Sequence, residues 1–236
     1  MSLVGTLLAH ADDNMVLAQR LGEWISKAPE LEIDIALANI GLDHLGVARA
    51  LYTRAAELEG AGRTEDDFAM LRDEREFTNL LLVEQPNGDF AHTIVRQFLF
   101  DAYQLLLWED LAANAEDETL KGVAAKAIKE ARYHHRFSSG WMIRLGDGTE
   151  ESHRRVQAAL DQLWRFTDEM FEDGSTAGYR AEWERGVIEV VAEASLEMPT
   201  DPYQRTGGRK GLHTEHLGRL LAEMQWLARS HPGATW

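Results

Sequence analysis

Apolar residues recur every three or four positions over most of this chain, and this helical period is the feature that most restricts its fold. Only five of the 236 residues are proline, and the strict alternation of apolar and polar residues that is typical of β-strands is nearly absent. The pattern therefore predicts an all-α protein. Because no low-complexity segment and no clear linker interrupts it, we expect one domain over residues 1–236.

Turn and capping signals divide the pattern into seven or eight helices. Pro29, the Gly-Ala-Gly run at 60–62 and the Pro-Asn-Gly run at 86–88 end or separate helices, and the Thr-Glu-Glu-Ser run at 149–152 opens one. The expected helices run roughly over Thr6–Ser26, Glu30–Leu58, Glu65–Leu82, Phe90–Asn114, Glu118–Leu145, Thr149–Phe171, Arg180–Glu197 and Leu212–Ser230.

Four acidic residues fall into two helix pairs with almost the same spacing. Asp13 and Asp43 are 30 residues apart, and Asp101 and Glu130 are 29 apart. This distance joins the middle of one helix to the facing level of the next antiparallel helix. Since all four acids lie among apolar residues at helical spacing, we expect them to face inward. The two pairs are offset by 88 and 87 residues, which indicates a weak internal duplication.

Four-helix di-iron carboxylate proteins use this layout, with a carboxylate on each first helix and Glu-x-x-His on each second helix. In this chain the residues three positions after the second acids are glycine and tyrosine, so the expected histidines are missing. We interpret the set as vestigial di-iron positions that hold no metal. They are Asp13, Asp43, Gly46, Asp101, Glu130 and Tyr133.

Carboxylates that face one another need a neutralising group, because burial and like charges both raise their pKa values. Lys126 lies one helical turn before Glu130, so its ammonium could occupy the space of a metal ion, and the Tyr133 hydroxyl could donate to the same cluster. The alternatives are a surface lysine and ordinary solvated acids. A further alternative is a real metal site that uses His10 or His134.

Two smaller clusters lie near the last helix. Arg205, Arg209 and Lys210 form a basic island before its start, where an anion or a partner's carboxylate could dock, and the alternative is a solvated loop. His213 and His216 share a helix face, but further metal ligands are not evident. We expect the run His213-Thr214-Glu215-His216 to cap and pack the start of the helix.

Composition excludes several classes of function. A net charge of −16 argues against nucleic acid or an anionic membrane as a main partner, and the lack of cysteine excludes disulfides, zinc thiolates and thiol catalysis. No Walker or dinucleotide phosphate loop and no nucleophile elbow is present. Neither a signal peptide nor a membrane span is indicated, so we expect a cytoplasmic protein.

Long stretches of the chain closely resemble the C-type subunits of ring-1,2-phenylacetyl-CoA epoxidase, a bacterial multicomponent monooxygenase. The resemblance covers almost the whole chain. It is carried by LGEWISKAPELEIDIALANIGLDHLGVAR, DEREFTNLLLVEQPNGDFAHTIVRQFLFDA, KAIKEARYHHRFSSGW and YQRTGGRKGLHTEHLGRLLAEMQWL.

The resemblance implies a ferritin-like four-helix bundle core with additional C-terminal helices. It also implies a structural subunit without a cofactor of its own, which pairs with a related catalytic di-iron subunit in a heterodimer and in higher assemblies. Electrons from NADPH would arrive through a reductase that holds FAD and an iron-sulfur centre. The alternative function is a metal-binding ferritin-like oxidoreductase in its own right.

Overall fold

The computed structural model describes residues 2–234, which form two compact units. The first unit comprises Met1–Gln85 with Gly207–Trp236, and the second comprises Pro86–Thr206. The described residues contain helices and no β-strand, so the all-α prediction is confirmed. The α-helices are α1 Leu3–Gly22, α2 Leu31–Glu59, α3 Leu81–Glu84, α4 Phe90–Asn114, α5 Glu118–Gly146, α6 Glu150–Leu163, α7 Arg180–Glu193 and α8 Glu215–Ser230.

In the first unit, α1 and α2 form an antiparallel pair. The contacts between them show this orientation: Asp12 contacts Tyr52, Asn14 contacts His44, and Leu21 lies against Gly41, so the partner on α2 moves towards the start of α2 as α1 advances. At Gly41 a Cβ atom would lie 3.4 Å from the Leu21 Cβ, so the glycine allows the two helices to approach closely. The core of this pair is aliphatic and includes Leu7, Leu17, Leu21, Leu37, Ile40 and Leu51, all fully buried.

The segment between α2 and α4 is mostly irregular, and the prediction of a helix over Glu65–Leu82 is wrong. One π-helical turn covers Asp67–Leu71 and a 3-10 turn covers Glu74–Glu76, while Arg72 has an extended backbone with ψ 143°. The Arg72 side chain turns inward to Asp12, and its carbonyl oxygen accepts hydrogen bonds from side chains of α8. A continuous helix would use that carbonyl internally, so these tertiary bonds replace helical ones.

In the second unit, α4 and α5 form another antiparallel pair, since Phe90 packs on Trp141 and Glu109 pairs with Arg132 at the opposite end. The predicted bounds of both helices are confirmed to within one residue. Helix α7 is attached to α4 by the Trp183 indole, which donates a hydrogen bond of 3.0 Å to the Leu99 carbonyl.

The last two helices of this unit are shorter than predicted. Helix α6 begins with the predicted capping box of Thr149 and Ser152, but it ends at Leu163, and two 3-10 turns continue to Phe171. Helix α7 ends at Glu193 because Ser195 adopts a positive φ of 57°, which the helical backbone does not allow.

Replacing Gly146 by alanine tests how closely the end of α5 packs in the second unit. A Cβ atom at this position would lie 2.3 Å from the Ala194 carbonyl oxygen, so we expect Gly146→Ala to lower the free energy of unfolding by about 1–3 kcal/mol. The matched control is Gly140→Ala on the same helix, where the new Cβ has no atom within 4 Å apart from the adjacent residues and the nearby backbone of its own helix. Its greater helix propensity raises stability by up to about 1 kcal/mol. Urea denaturation measures both, and equal stabilities would contradict the packing argument.

Candidate functional site

The structure buries two of the four acidic residues and leaves the other two partly exposed. Asp13 on α1 and Asp101 on α4 are each only 1% exposed to solvent, so the first helix of each pair carries a buried carboxylate. Asp43 on α2 is half-buried, and the Glu130 side chain on α5 is 23% exposed. The expectation that all four acids face inward therefore holds only for Asp13 and Asp101.

The positions where histidines were expected lie on the outside of their helices. Gly46 and Tyr133 are both exposed, the tyrosine to 40%. The inward positions are taken instead by His44 and His134, which are 1% and 2% exposed. Each helix pair therefore contains a buried imidazole, and the interpretation that the imidazoles are lost is corrected. The signal for it was the helical period itself, since His44 follows buried Ile40 by four residues.

The Asp13 carboxylate is held by an arginine and by backbone. Arg209 Nη1 donates to Asp13 Oδ1 at 3.0 Å and Nη2 donates to Oδ2 at 2.6 Å, while the Leu80 amide donates to Oδ1 at 2.7 Å. Burial raises the pKa of Asp13 to about 6, and the charge and hydrogen bonds of Arg209 limit the rise. The carboxylate is thus ionised near neutral pH and joins α1 to two other segments of its unit.

Arg209 is an internal structural residue and not a docking group. Its side chain is only 15% exposed, and Nη1 also donates to the carbonyl oxygens of Ala9 and Thr78, at 3.1 and 2.7 Å. With these acceptors and Asp13, both terminal nitrogens of the guanidinium are engaged. The interpretation of Arg209 as an anion-docking residue is therefore corrected.

Lys126 does not enter the core. Its side chain is 78% exposed and pairs with Glu130 across the surface of α5, with the two charged atoms 3.6 Å apart. Such exposed pairs contribute at most about 1 kcal/mol. The hypothesis that Lys126 takes the place of a metal ion is therefore corrected, and the cation that neutralises Asp13 is Arg209.

The other two members of the basic island are exposed. Arg205 in the second unit lies with its guanidinium 6.0 Å from the centre of the Phe166 ring, and its amide donates to the Arg165 carbonyl. Lys210 in the first unit lies in a 3-10 turn. Anion or partner docking at Arg205 and Lys210 stays a prediction.

Asp12, the residue before Asp13, anchors a second buried cluster that sequence reasoning missed. Arg72 forms a two-pronged ion pair with it, the Tyr52 hydroxyl donates to Oδ1 at 2.6 Å, and the Thr78 amide donates to Oδ2 at 2.8 Å. Asp12 is fully buried. The available signal was a pair of adjacent acids within an apolar helix, which predicts that at least one of them has an internal cation.

His213 and Thr214 attach the start of α8 to the first unit through Glu84. The Glu84 carboxylate accepts from the Thr214 amide at 2.6 Å and lies 2.8 Å from His213 Nδ1, while His213 Nε2 lies 2.9 Å from the Phe77 carbonyl. Burial lowers the pKa of His213, but the hydrogen bond and the charge of Glu84 outweigh it, so the pKa is raised. Thr214 also caps α8, which confirms that these residues cap and pack its start.

In the second unit, the Asp101 carboxylate lies close to an imidazole. Gln97 Nε2 donates to Oδ1 and Ser138 Oγ donates to Oδ2, both at 2.8 Å, and a carboxylate oxygen lies within 4.8 Å of a ring nitrogen of His134. Burial raises the pKa of Asp101 to about 7, while the two hydrogen bonds limit the rise. The group therefore titrates near neutral pH.

These donor sets do not fit a di-iron centre of the type that the spacing suggested. Both oxygens of Asp13 accept hydrogen bonds from Arg209, and both oxygens of Asp101 accept hydrogen bonds from neutral side chains. A metal-binding carboxylate presents its lone pairs to the ion, and a guanidinium beside it repels that ion. The arrangement at Asp13 can cross-link helices, but it offers no free ligand atom for redox chemistry.

The role of Arg209 can be tested by removing its side chain. Arg209→Ala leaves the buried Asp13 carboxylate without its cation, so we expect the free energy of unfolding to fall by about 3–5 kcal/mol. Lys210→Ala is the matched control, because Lys210 is the exposed neighbour, and it changes stability by less than about 0.5 kcal/mol. Adding Asp13→Asn to Arg209→Ala restores part of the loss, which a double-mutant cycle in urea measures. Strict additivity would contradict the pairing.

The raised pKa of Asp101 predicts a pH dependence of stability. An unfolded aspartate titrates near 3.8 and the folded residue near 7, so between these values the folded state binds more protons and stability falls as pH rises. Asp101→Asn removes this titration. The difference in the free energy of unfolding between variant and parent therefore shifts in favour of the variant by roughly 4 kcal/mol when the pH is raised from 4 to 8. Glu109→Gln on the exposed side of α4 serves as the control. A pH-independent difference between Asp101→Asn and the parent would refute the assignment.

Comparison with known proteins agrees with this architecture. The model of the family described as phenylacetic acid catabolic protein matches residues 1–236. The chain is 53% identical over 247 residues to the C-type subunit of the 1,2-phenylacetyl-CoA epoxidase of Escherichia coli (strain K12), and the match covers 99% of both chains. Among the described residues, no helix is both long and apolar enough to cross a membrane.

The match confirms the resemblance to C-type epoxidase subunits that the sequence strings indicated. Together with the observed helices, it also confirms the ferritin-like, all-α fold class. The identity of 53% extends over 99% of both proteins. The chain therefore belongs to the phenylacetic acid catabolic protein family.

Proposed function

We propose that this chain is a non-catalytic structural subunit of a phenylacetyl-CoA epoxidase complex in aerobic phenylacetate degradation. In this proposal it binds a related catalytic subunit, which carries the di-iron centre, in a heterodimer and in larger assemblies. The family membership and the name of the Escherichia coli relative, which is that of an epoxidase subunit, support the assignment to such a complex. We place the complex in the cytoplasm, with FAD and an iron-sulfur centre in a separate reductase.

The observation that carries the structural role is the use of Asp13. Its carboxylate, which the di-iron layout would offer to a metal, is bound by Arg209 and by the Leu80 amide. The ion pair and the hydrogen bond from Leu80 join three segments of the first unit. A metal ion in a catalytic bundle cross-links its helices in the same way. We infer that the chain keeps the helical frame of its family and stabilises it with an internal cation.

A second candidate function is a metal-binding oxidoreductase in its own right. The proximity of Asp101 and His134, both buried, favours this candidate, because a carboxylate and an imidazole are common iron ligands. The two hydrogen bonds that Asp101 accepts weigh against it, since metal binding would have to displace them. We therefore prefer the structural role.

Reconstitution with the catalytic subunit distinguishes the two candidates. The purified chain, the catalytic subunit and the reductase are combined, and NADPH-dependent oxidation of phenylacetyl-CoA is measured with and without this chain. The expected result is co-purification of the two subunits and no turnover by this chain alone after iron loading. Turnover by the iron-loaded chain and reductase alone would refute the structural role.

The variant Asp101→Asn sharpens this comparison. If the chain acts structurally, the complex that contains the variant retains turnover within about twofold of the parent, and its iron content is unchanged. Glu109→Gln is the control for an acidic residue on the same helix. A loss of iron that is specific to Asp101→Asn, measured by elemental analysis, would favour the oxidoreductase.

A further inference from the structure

Helix α2 carries a second apolar stripe on its solvent side, in addition to the stripe that faces α1. Four large apolar side chains are exposed there, namely Leu31 to 71%, Ile35 to 53%, Leu42 to 64% and Leu45 to 37%. With half-buried Ala38 and exposed Arg49, they follow one another at intervals of four, three, four, three and four residues. We call Leu31, Ile35, Ala38, Leu42, Leu45 and Arg49 the α2 seam.

This spacing is typical of a helix that packs against another helix. Single exposed leucines are common on protein surfaces, but a row at alternating intervals of three and four residues forms a straight seam along one helix. The seam extends over 19 residues, which corresponds to roughly 27 Å of helix. An apolar row of this length is typical of an interaction surface.

The seam is symmetric about the level of Ile40, a residue that lies on the buried face of α2. Ala38 and Leu42 lie two residues on either side of this position, and Ile35 and Leu45 lie five residues on either side. When an identical helix packs antiparallel at this level, each Leu42 faces the small Ala38 of the other copy and each Ile35 faces Leu45. A two-fold interface requires this kind of self-complementary surface.

The charges of α2 select the antiparallel orientation. Glu32 is exposed near the start of the seam, and Arg49 is exposed near its end. In an antiparallel pair Arg49 of each copy lies beside Glu32 of the other, whereas a parallel pair brings like charges together. The internal partner of Arg49 is Glu65 at 3.2 Å, and the arginine side chain remains 74% exposed, so this pair is weak enough to be exchanged.

We propose that the α2 seam binds the α2 seam of a second copy of this chain in an antiparallel, two-fold dimer. Antiparallel helix dipoles add a favourable term, and the exposed Gly46 leaves room beside the seam for close approach. This inference does not depend on the proposed function. It predicts that an epoxidase complex built with this chain contains two copies of it in contact through α2.

Sedimentation equilibrium of the purified full chain tests the proposal first. We expect a species of twice the chain mass of 26.6 kDa. Leu42→Glu puts charges next to the two-fold axis, and it weakens dimerisation at least 100-fold. Ile188→Glu on α7 is the matched control, because Ile188 is also a large apolar residue that is exposed to 49%, but it lies outside the seam. This control stays dimeric.

Charge exchange tests orientation and self-recognition. Glu32→Arg and Arg49→Glu each weaken the dimer about tenfold, and the double variant recovers the parental affinity because both contacts are restored in reverse. Circular dichroism and thermal unfolding of each variant establish that the chains remain folded. A double variant that is as weak as the singles would refute antiparallel pairing between identical copies.

The lack of cysteine in this chain allows a direct test by cross-linking. The double variant Ile35→Cys with Leu45→Cys forms disulfide-linked dimers, because these positions face each other only between copies. Within one helix they are ten residues and roughly 15 Å apart, which is too far for a disulfide. Each single variant stays uncross-linked, whereas cross-linking by Ile35→Cys alone would show parallel pairing and overturn the proposal.

Other occupants of the seam give a different set of results. A monomeric parent chain whose binding to the catalytic subunit is abolished by Leu42→Glu would assign the seam to that subunit and overturn the second-copy proposal, while the proposed function would stand. A chain that is monomeric and loses no partner on this substitution would overturn the proposal as well. Dimerisation through the seam without binding to a catalytic subunit would support it and would refute only the proposed function.

Discussion

The first unit depends on two adjacent buried carboxylates on α1, which need internal cations. Asp12 and Asp13 are both almost completely buried, and an unpaired charge in such a position costs several kcal/mol. Arg72 and Arg209 supply the cations from segments that are far away in sequence. The irregular backbone around Arg72 and the turn before α8 are therefore held against α1, because each of them carries the guanidinium that pairs with one of these carboxylates.

This electrostatic pairing also explains how the chain can keep the helical frame of its family without offering Asp13 to a metal. In a di-iron protein the metal neutralises the inward carboxylates and joins their helices. Here Arg209 neutralises Asp13, and the same side chain bonds two backbone carbonyls, so charge and hydrogen-bonding demands are met together. This cation belongs to the basic island, which the sequence suggested as a docking site. The internal contacts of Arg209 show that it has a structural role instead.

The long helices could be predicted from sequence, and the segments between them could not. Helices α4 and α5 begin at the predicted residues because Asp89 and Asp117 cap them, and capping is a local interaction. The stretch around Arg72 was predicted as helix because its charges suited a solvated face. Its actual conformation is decided by Asp12, 60 residues earlier. Likewise, the acid spacing identified Asp13 and Asp101 correctly, but the assumed i+3 position missed His44 and His134.

The sequence alone determined the helical class, the bounds of α4 and α5 and the resemblance to a family, because these follow from short-range periodicity and from local sequence. Only the tertiary structure decided which cation meets Asp13, which face of α2 and α5 turns inward, and which apolar stripe stays exposed. These features depend on rotations of a helix by a fraction of a turn and on contacts between residues far apart in the chain. The helical period of α2 fits two apolar stripes and does not say which of them is buried, and contacts between distant residues leave no trace in the spacing along one helix.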